Sequence, residues 1–260
     1  MNHYRALISL GIPIVVGNIG NVVLSFADTL MVGHYGMREL AAASFVNTLF
    51  LLLVVFAIGF SMGITPEVGR RYGSGDYESI GKVVRASVVA NLLLSLLLML
   101  VCVVLYFQLH RMGQPQELLP LMQPYLLINL FSLPFICMTN VFRQFFDAIG
   151  HTKVSMIVMV VSNLFNIIGN FLLIFGYGGL PEMGLLGAGV STALSRLLMV
   201  VMFSIVFFSF RRYKVYRRSF LSQRSDYSVF NRLNLLGWPS ALQVGMETAA
   251  FSLTAVFVGW

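Results

Sequence analysis

A carboxylate stands inside an apolar run: Asp28, within Leu7 to Val32 (LISLGIPIVVGNIGNVVLSFADTLMV). A run of this length can cross a bilayer, and an ionisable group within a span is costly unless it faces a partner, water or an ion. Asn18, Asn21, Ser25 and Asp28 recur at i, i+3, i+7 and i+10, so on a helix they share one stripe, while Val15, Ile19, Val22, Val23 and Phe26 take the rest of the surface. The stripe is therefore directed into a protein interior. Its chemistry is that of a hard oxygen, fit for proton exchange or for binding an ion such as Na⁺. The structural alternative is a carboxylate neutralised by a neighbouring helix, but intramembrane carboxylates are functional by default. A second stripe, Asn163, Asn166 and Asn170 at i, i+3 and i+7, offers amides that serve either as ligands or as hydrogen-bonding glue between helices. Arg196 also falls inside an apolar run, where it either pairs with a carboxylate or snorkels to an interface, so it is not read as a site. No constellation for an enzyme is present in the sequence. All four histidines (His3, His34, His110, His151) lie outside the apolar runs, and Cys102 and Cys137 have no C-x-x-C spacing, so neither a zinc site nor a disulfide framework can be argued. No cofactor is expected.

The elements that position these residues follow from composition. The 260 residues are 58% hydrophobic and only 10% charged, with a mean hydropathy of +0.84, which marks an all-α integral membrane protein. Seven apolar segments can be drawn: Leu7 to Val32, Leu40 to Thr65, Ala86 to Phe107, Leu121 to Phe142, Val154 to Gly176, Leu185 to Phe210 and Leu235 to Trp260. The first exceeds a signal-peptide core and lacks a small-residue cleavage pattern, so it reads as a genuine span. The net charge of +7 would suggest nucleic acid in a soluble protein, but here the charges sit between spans and report orientation and attraction to anionic headgroups, so nucleic acid is excluded as a partner. Arg5, the group Arg70, Arg71, Lys82 and Arg85, the pair Arg143 and Lys153, and the run from Arg211 to Arg232 all fall on one side; Arg38 and Arg111 fall on the other. The positive-inside rule then makes the amino terminus and the even-numbered loops cytoplasmic.

Between the second and third spans, the stretch from Gly73 to Ser87 reads as a short interfacial helix opened by a glycine-flanked turn. Residues 1–210 form a six-helix lobe, 211–234 a basic cytoplasmic linker, and 235–260 a seventh transmembrane helix. Because the chain stops at Trp260 directly after an apolar run, the expectation is a first half followed by the start of a second, with the remaining carboxy-terminal lobe missing.

In order and spacing these pieces resemble the multidrug and toxic compound extrusion (MATE) transporters. Pro13 with the run Phe26 to Gly36 (FADTLMVGHYG) resembles the family's first helix; Gly73 to Tyr77 (GSGDY) resembles its second cytoplasmic loop; Asn163 to Gly176 and Gly184 to Arg196 (GLLGAGVSTALSR) resemble helices five and six. Glu247, after Gly237-Trp238-Pro239, resembles the acidic residue that some members carry on helix seven. The resemblance implies two six-helix lobes that alternate between outward and inward openings in a bacterial-type inner membrane, exporting small organic cations or drugs in exchange for Na⁺ or H⁺. It further implies a cation site at Asp28, Asn166, Asn170 and Thr192, with Glu247 coupling to the second lobe. Some members carry a second carboxylate on the fifth helix; Asn170 stands there here, which makes coupling by protons alone at a dyad less natural. A lipid or polysaccharide flippase of related fold is the alternative, but its cavity should be lined with arginines and Arg196 is the single candidate in the spans. A non-transporting fragment with a structural or assembly role is the third reading. The 22 Phe and 14 Met residues are mostly lipid-facing or core, although some could line a cavity that adapts to varied ligands.

Overall fold

In the computed structural model residues 3–113, 115–222 and 227–258 are described, with side chains from residue 8 to 250 of these. Arg224 of the linker and Gly259 and Trp260 at the end of the seventh segment lie outside them. The order is α1 (His3–Tyr35), α2 (Met37–Met62), α3 (Ile64–Gly73), α4 (Tyr77–Gln108), α5 (Leu119–Ala148), α6 (Thr152–Phe175), α7 (Leu185–Ser209), α8 (Lys214–Leu221) and α9 (Tyr227–Val258), with short 3-10 turns between some of them. Six helices among the described residues are long and apolar enough to cross a membrane. The physical reason for an all-helical chain is that lipid offers no hydrogen bonds, so a span must satisfy its backbone internally. Even α6, with 24 residues, extends about 36 Å at 1.5 Å per residue, more than the ~30 Å hydrocarbon layer.

The helices associate in a definite order: α1 lies on α6, α6 and α5 lie on α7, α5 contacts α2 and α4, and α9 covers α2. One core, built on Val46, Phe50, Leu94, Leu126, Leu130 and Leu133, joins α2, α4 and α5. A second gathers at the end where α3, α8 and the start of α4 meet, and it is aromatic: Phe146 stacks on Phe203 at 5.6 Å, and Phe145 meets Phe207 edge-on at 5.4 Å.

The structure differs from the sequence reading in two places at this end. The short helix expected within Gly73 to Ser87 is instead the first turns of the continuous α4, capped by Asp76, whose side chain accepts a hydrogen bond from the Ser79 N–H at 3.2 Å. The Ser79 side chain, with its N–H as a lesser cause, holds the Asp76 carboxyl below its ordinary range. The separate short helix is α3, formed from residues assigned to the end of the second span and the loop: Pro66 sits in its first turn, where its missing N–H costs nothing, and Glu67 is followed at i+3 and i+4 by Arg70 and Arg71. The stretch 211–234 is also more than a connector. It holds α8 and the first turns of α9, with Tyr213 and Tyr216 buried against Phe146 and Phe145 at ring distances of 5.3 and 5.5 Å. Only a glycine at position 81 lets α8 lie this close to α4, because a Cβ there would collide with the Tyr216 carbonyl and stand 2.7 Å from the Phe220 nitrogen.

Candidate functional site

The polar stripes of α1 and α6 face each other. Asn163 Nδ2 donates to Asn21 Oδ1 at 3.3 Å, and further along the pair Asn170 Nδ2 donates to Asp28 Oδ1 at 2.5 Å. Between them Asn166 is fully buried. With its amide nitrogen turned to Asp28 Oδ1 (3.0 Å), its oxygen accepts from Thr192 Oγ1 (3.2 Å), Ser195 Oγ (3.3 Å) and the Thr192 backbone N–H (3.2 Å). Helix α7 can reach this layer because it carries small residues where it crosses α6. A Cβ on Gly187 would stand 2.5 Å from the Leu173 carbonyl oxygen, and Ser191 Oγ donates to the Asn166 carbonyl at 2.9 Å.

The structure therefore brings Asp28, Asn166, Asn170 and Thr192 into one cluster from three helices. The Thr192 hydroxyl meets Asn166 and not the carbonyl one turn back, the common alternative for a membrane threonine. Glu247 is not part of the cluster: it is exposed on α9, a helix that lies against α2 and α4. Cys102 and Cys137 are buried and free, as small apolar side chains.

Three further groups surround the cluster. Arg196 does not snorkel: its Nη1 donates to Asn129 Oδ1 (3.2 Å) and Ser132 Oγ (2.5 Å) on α5, with its guanidinium 5.3 Å from the centre of the Phe50 ring. Arg143, assigned from sequence to a cytoplasmic loop, donates from Nη2 to Asn18 Oδ1 at 2.9 Å and pairs with Asp147 at 3.7 Å. The Tyr125 hydroxyl donates to Asn47 Oδ1 at 3.1 Å. Asp28, Thr192, Arg143, Arg196 and Tyr125 all line one open cavity of about 530 Å³, whose apolar wall includes Phe50, Met159 and Met199. The sequence signal for these residues was present but weak: Asn129 and Ser132 lie at i, i+3 on α5, and Ser191, Ser195 and Arg196 continue the Thr192 face of α7.

As arranged, two amide donors converge on a single carboxylate oxygen, an arrangement suited to an ionised Asp28. Holding a cation would require the amides to turn their oxygens inward. Asn170 Oδ1 is the group available for this, being buried with no hydrogen-bond partner among the described residues. The donor set is then one carboxylate, amide oxygens and a hydroxyl, all hard oxygens suited to Na⁺. Among the described residues no group of three or more His, Cys, Asp and Glu side chains gathers to hold a metal ion.

A bundle of spans with a polar cluster opening on a cavity defines a multi-pass helical membrane protein. The chain belongs to the MatE family, the MATE transporters, whose profile matches residues 13–172. It is 28% identical over 252 residues to a probable multidrug resistance protein NorM of Photorhabdus laumondii, covering 97% of this chain and 55% of the relative. It is 30% identical over 261 residues to the multidrug resistance protein MdtK of Klebsiella pneumoniae, covering 98% of this chain and 56% of the relative. Two solved structures share its fold at 24% identity. One is a MOP superfamily transporter from Pyrococcus furiosus, with a TM-score of 0.83 over 97% of this chain and 55% of that one. The other is an outward-facing multidrug resistance MATE family transporter, with a TM-score of 0.81 over 98% of this chain and 56% of that one. The chain thus spans about half the length of the curated relatives it matches.

Proposed function

We propose that this chain is the cation-coupled lobe of an exporter of drugs or other small organic compounds, working by alternating access with Na⁺ or H⁺ as the counter-ion. The observation that carries the reading is the meeting of Asp28 with Asn166, Asn170 and Thr192 on the wall of an open cavity, with the Asn170 oxygen buried and unpartnered beside the carboxylate. Asp28 takes the proton or the ion, Asn166 and Asn170 exchange amide nitrogens for oxygens as charge arrives, and Thr192 and Ser195 stay in reach of Asn166 in either orientation. Substrate meets the same cavity against Phe50, Met159 and Met199, side chains that adapt to varied apolar shapes. Coupling follows because ion and substrate share one wall. The basic-residue asymmetry supports an inner-membrane location with a cytoplasmic amino terminus. Glu247 and the further helices of a second lobe complete the path in this reading.

The test is Asp28→Asn in the full-length protein, which keeps shape and hydrogen bonding while removing the charge. Cation-driven efflux should be lost at normal membrane insertion, and drug resistance retained at normal expression would overturn the reading. The flippase alternative gains from Arg143, since two arginines line the cavity where the sequence offered one. Scrambling of headgroup-labelled lipid in proteoliposomes, unaffected by an imposed Na⁺ or pH gradient, would favour it.

A further inference from the structure

We propose that Arg196 is the anion-recognising residue of the cavity, so that preferred ligands carry a carboxylate or sulfonate on an apolar body, with any positive charge directed toward Asp28. The proposal rests on the drug-cavity reading and adds its specificity.

Ion pairs among the described residues join Arg38 to Glu117, the group Arg70, Arg71 and Arg232 to Glu67, and Arg143 to Asp147; none includes Arg196. Arg143 reaches the cavity already paired with Asp147, whereas Arg196 is hydrogen-bonded only to neutral groups and meets the Asp28 charge only across the cavity. Such a charge away from bulk water is costly unless hydrogen-bonded or paired. The neutral partners hold the group in place. Asn129 Nδ2 donates to the Tyr125 carbonyl (3.1 Å), which leaves Oδ1 for Arg196, and the Ser132 hydroxyl donates to the Asn129 carbonyl (2.6 Å), which leaves its lone pair for the same Nη1. Both bonds are to Nη1, and among the described residues Nε and Nη2 make no hydrogen bond.

A guanidinium held by one nitrogen, with two adjacent N–H groups unused, is a preset fork for a planar anion, which it binds through two parallel hydrogen bonds. Phe50 supports the guanidinium plane by a cation–π contact. Asp28 lines the same cavity with the opposite sign, so the wall is dipolar and a zwitterion matches it better than a simple cation.

The experiment uses the chain in lipid nanodiscs, with binding read by fluorescence anisotropy for rhodamine B, a zwitterion bearing a carboxylate, and for its ethyl ester, a cation otherwise identical. Arg196→Gln should weaken rhodamine B about tenfold or more while leaving the ester within about twofold, and Arg196→Lys, which keeps charge but not the fork, should lose about threefold for rhodamine B alone. If the Gln variant does not fold, the Lys variant decides by the same selective loss. Equal loss for both dyes, or loss for neither, would overturn the proposal, as would a wild-type chain that binds the ester but not rhodamine B; these outcomes leave the drug-cavity reading intact. A wild-type chain that binds neither dye overturns both.

Discussion

Asp28 shows how much a single side chain depends on the orientation of its neighbours. The Asn166 and Asn170 amides each have a donating and an accepting end, so one rotation per residue converts a site that stabilises a bare carboxylate into one that surrounds a cation. Outside the membrane, His151 offers a cleaner residue-scale test. Its Nδ1 lies 2.9 Å from the Tyr213 hydroxyl, within hydrogen-bonding distance, and burial together with the nearby Arg212 charge lowers its pKa from the ordinary 6.5. A histidine kept neutral in the fold takes up its proton more readily when unfolded. Its contribution is therefore fully present above about pH 6.5 and is lost as the pH falls below that value. Thermal melting in detergent should show the wild-type midpoint dropping on acidification through this range more steeply than that of His151→Gln, and parallel curves would remove the assignment.

At the scale of elements, the end of the molecule where α3, α8 and α9 meet carries an ionic knot that a loop reading does not anticipate. Glu67 is only 3% exposed, and its carboxylate accepts from Arg70 (3.1 Å) and Arg71 (2.9 Å) while Arg232 of α9 stands 4.0 Å away. The arginines reach solvent to different degrees, so most of the desolvation falls on Glu67, and its bonds to Arg71 are the ones shielded from water. Glu67→Gln keeps the shape but replaces charge-assisted hydrogen bonds with neutral ones, at a cost of about 2 kcal/mol. The expected readout is a lower melting temperature together with faster proteolysis between α3 and α4, whereas an unchanged melt would mean the knot is screened by solvent. The same packing explains why 211–234 is not a free connector: Tyr213 and Tyr216 have an aromatic surface to bury against, and a connector with such a surface becomes part of the lobe.

For the whole molecule, Arg70, Arg71, Arg85, Arg217 and Arg232, all expected on one side of the membrane, are gathered at one end. Arg85 donates to the Ser222 carbonyl, Arg217 donates to the Phe208 carbonyl, and the Glu67 group joins α3 to α9. Arg111, after α4, and Glu182, between α6 and α7, belong to connections at the other end and are exposed. Cysteines at these two positions should react with an impermeant thiol reagent from outside intact cells, and one at Arg218, exposed on α8, should not. The native Cys102 and Cys137 are buried, which keeps the background low. Labelling at position 218 from outside would reverse the orientation.

The sequence by itself determined the fold class, the first six spans and the stripes of α1 and α6, because membrane length, hydropathy and a 3.6-residue period are local properties that any window of the chain carries. The resemblance added Thr192, which no local pattern separates from other membrane threonines. Only the tertiary structure decided what those stripes face: that Asn166 binds Thr192 and Ser195, that Glu247 stays apart on α9, that Arg196 turns inward to α5, and that Arg143 reaches the cavity from a position assigned to a loop. These outcomes depend on helix rotation and on close approaches such as that at Gly187, where atoms distant in sequence set which side of a helix is covered. A periodic pattern fixes a face; the neighbour that covers it is chosen by packing.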